Sequence, residues 1–173
     1  MKLMKKSIVI VLTLIFGLNT TAQKIKFKVH SAEIGFGGFY MKKYILEGGG
    51  ISFIADLTTS LNKNLISSSL LTGAEIGVVG SSTYNFNEYR IQYGRELYLQ
   101  KWLKFELFGG LGYYNQKSKI SEIMNGSSIS IPFKLNIKFY FNENFGIGLN
   151  NNYSANKINN NFSINLVLHY KFD

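Results

Sequence analysis

At 173 residues the chain is the size of one domain, and its lack of cysteine excludes both a disulfide scaffold and thiolate-bound metal. One proline against 17 glycines, 14 phenylalanines and 11 tyrosines favours strands joined by turns over helices. The formal net charge of +9 is spread along the chain rather than gathered in one block, which argues against nucleic-acid binding.

The first element differs from everything after it. Lys2, Lys5 and Lys6 form a basic start, Ile8 to Leu18 is apolar, and Thr20-Thr21-Ala22 offers small residues before Gln23. That three-part order predicts a cleavable secretory signal peptide over residues 1–22, leaving 23–173 as the folded domain. The apolar run, about 11 residues, falls short of the roughly 20 that a spanning helix needs.

From there the chain alternates with period two, the signature of strands with two unlike faces. Eight such segments follow in order. Their apolar faces are Ala32, Ile34, Phe36, Gly38, Tyr40; then Ile51, Phe53, Ala55, Leu57, Thr59, Leu61; then Ile66, Leu70, Ala74, Ile76, Val78, weakened by Ser68 and Thr72. Next come Tyr89, Ile91, Tyr93, Leu97, Leu99 and, in the fifth, Phe105, Leu107, Gly109, Leu111, Tyr113. The sixth runs through Ile129, Ile131, Phe133, Leu135, Ile137, Phe139, Phe141, the seventh through Phe145, Ile147, Leu149, Tyr153, and the eighth through Phe162, Ile164, Leu166, Leu168, Tyr170, Phe172. Tight turns are expected at Asn62-Lys63-Asn64, Gln100-Lys101-Trp102 and Asn142-Glu143-Asn144. Between them come longer polar connections: Met41 to Gly50, Gly80 to Asn87, Asn115 to Ser128 and Ser154 to Asn161.

An even strand number with short connections at one end and long ones at the other is the plan of an outer-membrane barrel. The competing architecture is a soluble calyx with its apolar face inward. Three features favour lipid. The polar face is rich in glycine, which suits a crowded interior and would weaken a solvated one. Tyr40, Tyr89, Tyr113 and Tyr153 gather by the long connections and Phe141, Phe145, Tyr170 and Phe172 by the short turns, as two interfacial girdles. Charges on the polar face nearly cancel, as a buried interior requires. The predicted fold is therefore all-β, an eight-stranded antiparallel up-and-down transmembrane barrel. Three residues strain it. Arg95 has lipid-facing parity and must either snorkel to an interface or be re-aimed by a bulge at Gly94. Pro132 is tolerable only near a strand end. Asn151 suggests that the seventh strand has left the membrane there.

With its leader, eight segments and aromatic Phe172, the chain resembles the small outer-membrane β-barrels of OmpA/OmpX type, in particular the outer membrane protein beta-barrel domain family. The resemblance spans Val29 to Phe172 and rests on pattern, since such barrels share no catalytic motif. The last segment, INLVLHYKF, is similar to the family's assembly signal, with Asp173 after Phe172 as a departure. The resemblance implies a bacterial outer-membrane location and contact with membrane lipid and the barrel assembly machinery. The chain reads as a monomer that is not an enzyme and holds no cofactor.

The predicted site is structural: a lumen charge network of Glu33, Asp56, Glu75, Glu88, Arg90, Glu96, Lys104, Glu106, Lys134, Lys138, His169 and Lys171. His169 is expected in the lumen with Glu33 or Glu96 as its partner, whereas His30 is expected to face outward near the periplasmic rim. Two isolated histidines give no metal site by spacing. Lys42, Lys43, Lys117, Lys119 and Lys157 are loop cations expected to meet lipopolysaccharide phosphates. The lipid A palmitoyltransferase and deacylase barrels are similar in size, but they need a histidine and a serine together at the outer leaflet; here Ser31 takes the opposite face from His30 by parity. The functional expectation is an envelope-integrity or surface-interaction role. A narrow porin-like channel is the alternative, with a soluble lipocalin-like lipid binder and a lipid A-modifying enzyme behind it. An eight-stranded interior is just wide enough for side chains to fill, which disfavours the channel.

Overall fold

The computed structural model describes residues 27–43, 46–75, 84–118 and 125–172. The signal-peptide reading of residues 1–22 lies outside them, as do Ile76 and Val78. Eight strands form: β1 (Phe27–Lys43), β2 (Leu46–Leu61), β3 (Asn64–Glu75), β4 (Tyr84–Gln100), β5 (Leu103–Ser118), β6 (Gly126–Tyr140), β7 (Phe145–Asn156) and β8 (Asn160–Lys171). Each pairs antiparallel with the next, and β8 returns to β1 from Ser31↔Lys171 to Lys42↔Asn160, closing the cylinder. Closure leaves no unpaired strand edge.

The alternation decides which face goes where. Ile34, Phe36, Phe53, Leu57, Ile91, Leu107, Phe133, Leu135, Leu166 and Leu168 stand on the outside, while Glu33, Asp56, Arg90, Glu106, Lys134 and Lys138 are buried within. Among the described residues no helix is long and apolar enough to cross a membrane.

Short local rules set the turns. Asn62 adopts φ 58°, a left-handed conformation that asparagine tolerates, and so closes the β2–β3 hairpin. In the β6–β7 turn the Asn142 side chain accepts the backbone N–H groups of Asn144 (2.9 Å) and Phe145 (2.7 Å). The Asn156 side chain does the same between β7 and β8 for Ile158 (2.8 Å) and Asn159 (3.0 Å).

The long polar connections are mostly not loops. Met41 to Gly50 is a continued hairpin, with Met41↔Gly48 and Lys42↔Glu47 in register, and Ser154 to Asn161 narrows to a turn at 157–159. β4 reaches back to Tyr84, and β5 runs to Ser118. A 17-residue strand tilted by 45° spans about 40 Å along the barrel axis, well beyond an apolar band of about 25 Å. The backbone ladder thus continues after the apolar alternation has faded, as it would where strand ends stand in water on both faces.

Beside a register shift between Tyr98 and Gln100 in β4, two irregularities bear on the sequence expectations. β1 carries a bulge between Val29 and Ser31 that takes His30 out of the ladder and turns it inward. His30 is thus a lumen residue, not an outward one, and Ser31 beside it also points in. Pro132 lies inside β6, not near its end: the β5–β6 register runs from Gly109↔Phe133 to Gly112↔Ser130, leaving Ile131 and Pro132 unpaired on that side. The gap falls where the missing N–H would have donated.

Gly94 has no bulge; its register with Leu65 and Phe108 is unbroken. Arg95 keeps its outward parity, and its Nε donates to Asn64 Oδ1 at 3.2 Å beside the β2–β3 turn. Asn151 likewise faces out, but β7 continues past it to Asn156.

Candidate functional site: the lumen and its rim

The inward residues sort into levels along the barrel. At the long-connection end an apolar plug forms around Phe39, Met41, Phe86 and Tyr114, with Ile54, Leu71 and Val167 beneath and Tyr84 and Ile158 against it. Phe86 meets Phe39 edge-on at 4.9 Å between ring centroids and stacks on Tyr114 at 5.5 Å. Asn159 Nδ2 donates to Tyr114 Oη at 3.1 Å and to Gln116 Oε1, while Tyr114 Oη donates to Gln116 Oε1 at 2.9 Å. Parity reaches Phe86 and Tyr114 only if alternation is followed past the points where the outer face turns polar.

Below the plug Arg90 Nη2 donates to Glu88 Oε2 at 2.6 Å and Nη1 to Asn152 Oδ1 at 2.7 Å. The other Glu88 oxygen accepts Ser130 Oγ and Ser154 Oγ, both at 2.6 Å. A carboxylate with a guanidinium on one oxygen and two hydroxyls on the other has its charge well satisfied.

The next level pairs Lys134 with Asp56 across the lumen. Ser67 Oγ donates to Asp56 Oδ2 at 2.8 Å, Thr58 Oγ1 to Oδ1 at 3.0 Å, and Lys134 Nζ lies 4.2 Å over the Phe108 ring.

Toward the short turns Lys138 Nζ bridges Glu33 (2.5 Å) and Glu106 (2.6 Å). Asn136 Nδ2 donates to Glu106 Oε2 at 3.1 Å and accepts from Asn150 at 2.8 Å through its own oxygen. His169 lies 3.3 Å from Glu33 and 2.7 Å from Tyr140 Oη. At the mouth, Lys104 stands 3.6 Å from Glu96 and over the rings of Tyr98 and Tyr140, both at 4.7 Å.

Nine of the twelve residues expected in the lumen network are buried; Glu75, Glu96 and Lys171 are half-buried. They are linked between levels: the Arg90 pair joins through Asn152, Asn150 and Asn136 to Glu106, which shares Lys138 with Glu33 and His169. The structure adds hydroxyl and amide partners that the sequence reading left without roles, Ser67, Ser130, Asn136, Asn152 and Ser154 among them.

Of the expected loop cations, Lys42 and Lys43 belong to β1 and Lys117 to β5, and only Lys157 sits in a turn. Lys42, Lys117 and Lys157 are exposed, and Lys119 lies outside the described residues.

The closed eight-stranded cylinder has counterparts among solved structures. Neisserial surface protein A superposes with a TM-score of 0.71 at 9% identity, over 85% of this chain and 99% of that one. Ail of Yersinia pestis, solved with the heparin analogue sucrose octasulfate, gives 0.60 at 17% identity over 84% and 99%. The N-terminal β-barrel domain of Pseudomonas aeruginosa OprF gives 0.60 at 15% over 85% and 100%. The fold is that of the small outer-membrane barrels of OmpA/OmpX type. No family model and no curated protein matches the sequence. That follows from how such a barrel is specified: alternation constrains the chemical class at each position and leaves the residue itself free. The apolar exterior of the closed cylinder is a surface of the kind that lipid chains cover.

Proposed function

We propose that the protein is a monomeric, non-enzymatic outer-membrane barrel with a sealed lumen, serving envelope integrity and surface contact through its outer rim. The observation that carries this reading is the filled interior. The aromatic plug around Phe86 closes one end, and the Arg90–Glu88 and Lys134–Asp56 pairs occupy the bore beneath it. Each pair holds its charges against one another, so neither is available to escort ions. Both histidines are committed to carboxylates at the short-turn end, away from the leaflet where lipid A would be met. The outward Lys42, Lys117 and Lys157 support contact with lipopolysaccharide phosphates, the kind of polyanion represented by the sucrose octasulfate bound to Ail. INLVLHYKF in β8 is the segment to be read by the barrel assembly machinery.

Planar-bilayer recording tests the reading. Purified protein is expected to insert without conductance steps; regular steps would instead support the narrow channel. Lipid A mass in a deletion strain is expected to match the parent, and a changed acyl count would overturn the non-enzymatic assignment. Charge reversal at Lys42, Lys117 and Lys157 together is expected to weaken binding to lipopolysaccharide micelles, more at low salt than at high.

A further inference from the structure

The outer wall of β4 carries a cation among apolar neighbours. Arg95 is exposed there, and its Nε donates to Asn64 Oδ1 at 3.2 Å. Among the described residues no carboxylate pairs with Arg95, and its two terminal nitrogens meet no acceptor. Asn64 is the first residue of β3, and Lys63 beside it is exposed in the β2–β3 turn. The Asn64 carboxamide, its oxygen taken by Arg95, keeps its N–H groups to give. Two cations and an amide donor thus gather at a strand end without a counter-charge.

Next to them on the same wall lies an open groove of about 1170 Å3. On β3 and β4 it begins at Ile66 and Tyr93, which are paired in register. Those two stand two residues, about 7 Å, from Asn64 and Arg95 with the same facing. Ala55, Ser68 and Gly109 lower the groove with small side chains, and the exposed Leu57 and Ile91 stand along it. Donors for an anion at the end of an apolar channel match the two parts of a lipid.

We propose that Arg95, Asn64 and Lys63 hold the phosphate of one anionic phospholipid, with an acyl chain laid along the groove from Tyr93 past Ser68. The inference rests on the reading of the exterior as lipid-covered and extends it from a general surface to one specific place. With its Nε anchored by Asn64, the guanidinium offers its terminal N–H groups to phosphate oxygens, the geometry in which arginine binds that group best. A net negative headgroup is required because the patch is net positive; a zwitterionic lipid would bring a further cation to it. The site also gives a reason for an arginine at an outward position where the alternation calls for an apolar residue.

Native mass spectrometry of the full-length protein, folded in detergent and titrated with phosphatidylglycerol or with phosphatidylcholine of the same chains, tests the site. One phosphatidylglycerol per monomer is expected to saturate first, about tenfold more tightly than phosphatidylcholine, and the preference is expected to shrink as salt rises. Arg95→Gln is expected to weaken phosphatidylglycerol by about fivefold or more. Ser68→Phe, which fills the groove, is expected to weaken it too. Lys101→Gln, in the exposed β4–β5 turn, is expected to leave the preference intact. Inorganic phosphate is expected not to compete; full competition would reduce the site to one for any free anion and overturn the proposal. Wild-type protein that takes both lipids alike would overturn it as well. So would a preference that Arg95→Gln leaves intact, or a dimer whose interface excludes the lipid. Protein that stays folded and soluble without detergent would overturn the membrane reading and the site together. Protein that inserts into vesicles but shows no preference overturns the site alone.

Discussion

Arg90 is the residue on which the lumen depends most directly. Its guanidinium is buried, and it is the cation that holds the Glu88 carboxylate, whose other oxygen has only two serine hydroxyls. Removing one member of a buried ion pair strands the other, at a cost of about 3–5 kcal/mol. Arg90→Ala is therefore expected to lower unfolding free energy by that order in urea titrations of the barrel in lipid vesicles. The double variant Glu88→Gln/Arg90→Met is expected to lose clearly less, because no charge is left behind. A double variant as unstable as the single would show that packing volume, not the stranded charge, sets the cost.

Gly37 makes a steric argument at the same scale. A Cβ there would collide with Ile164 O and stand 2.6 Å from Asn165 Cα, both backbone atoms of β8. The backbone of the closing strand cannot retreat without breaking the β1–β8 ladder. Gly37→Val is expected to reduce the folded, membrane-inserted fraction sharply, read from unboiled gel migration. Gly38→Val, where the nearest atom stands at 3.7 Å, is expected to be tolerated.

Among the strands, the two faces make opposite demands on one residue type. Phe86 on β4 is fully buried in the plug, against Phe39 and Tyr114; Phe133 on β6 is half-exposed on the outer face. Phe86→Ala leaves a cavity that a close-packed plug cannot fill, and buried Phe→Ala changes cost about 3–5 kcal/mol. Lipid chains can flow into the space left by Phe133→Ala. Equilibrium unfolding of both variants is expected to show the larger loss at Phe86; equal losses would mean that the plug is loosely packed.

This is also where the sequence was legible and where it was not. Strand number, order and facing could be read because every strand repeats one binary choice, lipid or lumen, as from Leu135 to Phe139. Strand ends could not, because outside the bilayer both faces of a strand meet water and the alternation loses its cause. The plug residue Phe86 therefore falls in an expected connection, and Tyr114 just past the end of the fifth segment, with no face assigned. The inward turn of His30 was hidden for a different reason: a bulge shifts parity by one, and no residue type announces it at Val29-His30-Ser31. The charged lumen residues could be found by parity, whereas which of them bond to one another depends on register around the closed cylinder.

At the scale of the whole molecule, the exterior is the decisive surface. Leu149, Leu166, Phe36 and Phe53 lie in one continuous register row, Leu149↔Leu166↔Phe36↔Phe53, across β7, β8, β1 and β2, all outward and near the middle of their strands. A cation forced onto the lipid face at mid-membrane costs about 2–4 kcal/mol, falling to about 0–1 near the interfaces. Leu166→Arg is therefore expected to destabilise the barrel in vesicles by that larger amount. Tyr153→Arg, at a predicted girdle position, is expected to cost little. The depth dependence separates a bilayer from any aqueous surrounding. In water, arginine at position 166 would merely replace an exposed leucine, with a small effect and no distinction between the two sites. Denaturant titrations of both variants in vesicles of one lipid read the difference directly; equal costs at the two positions would remove the bilayer from the description of this outer surface.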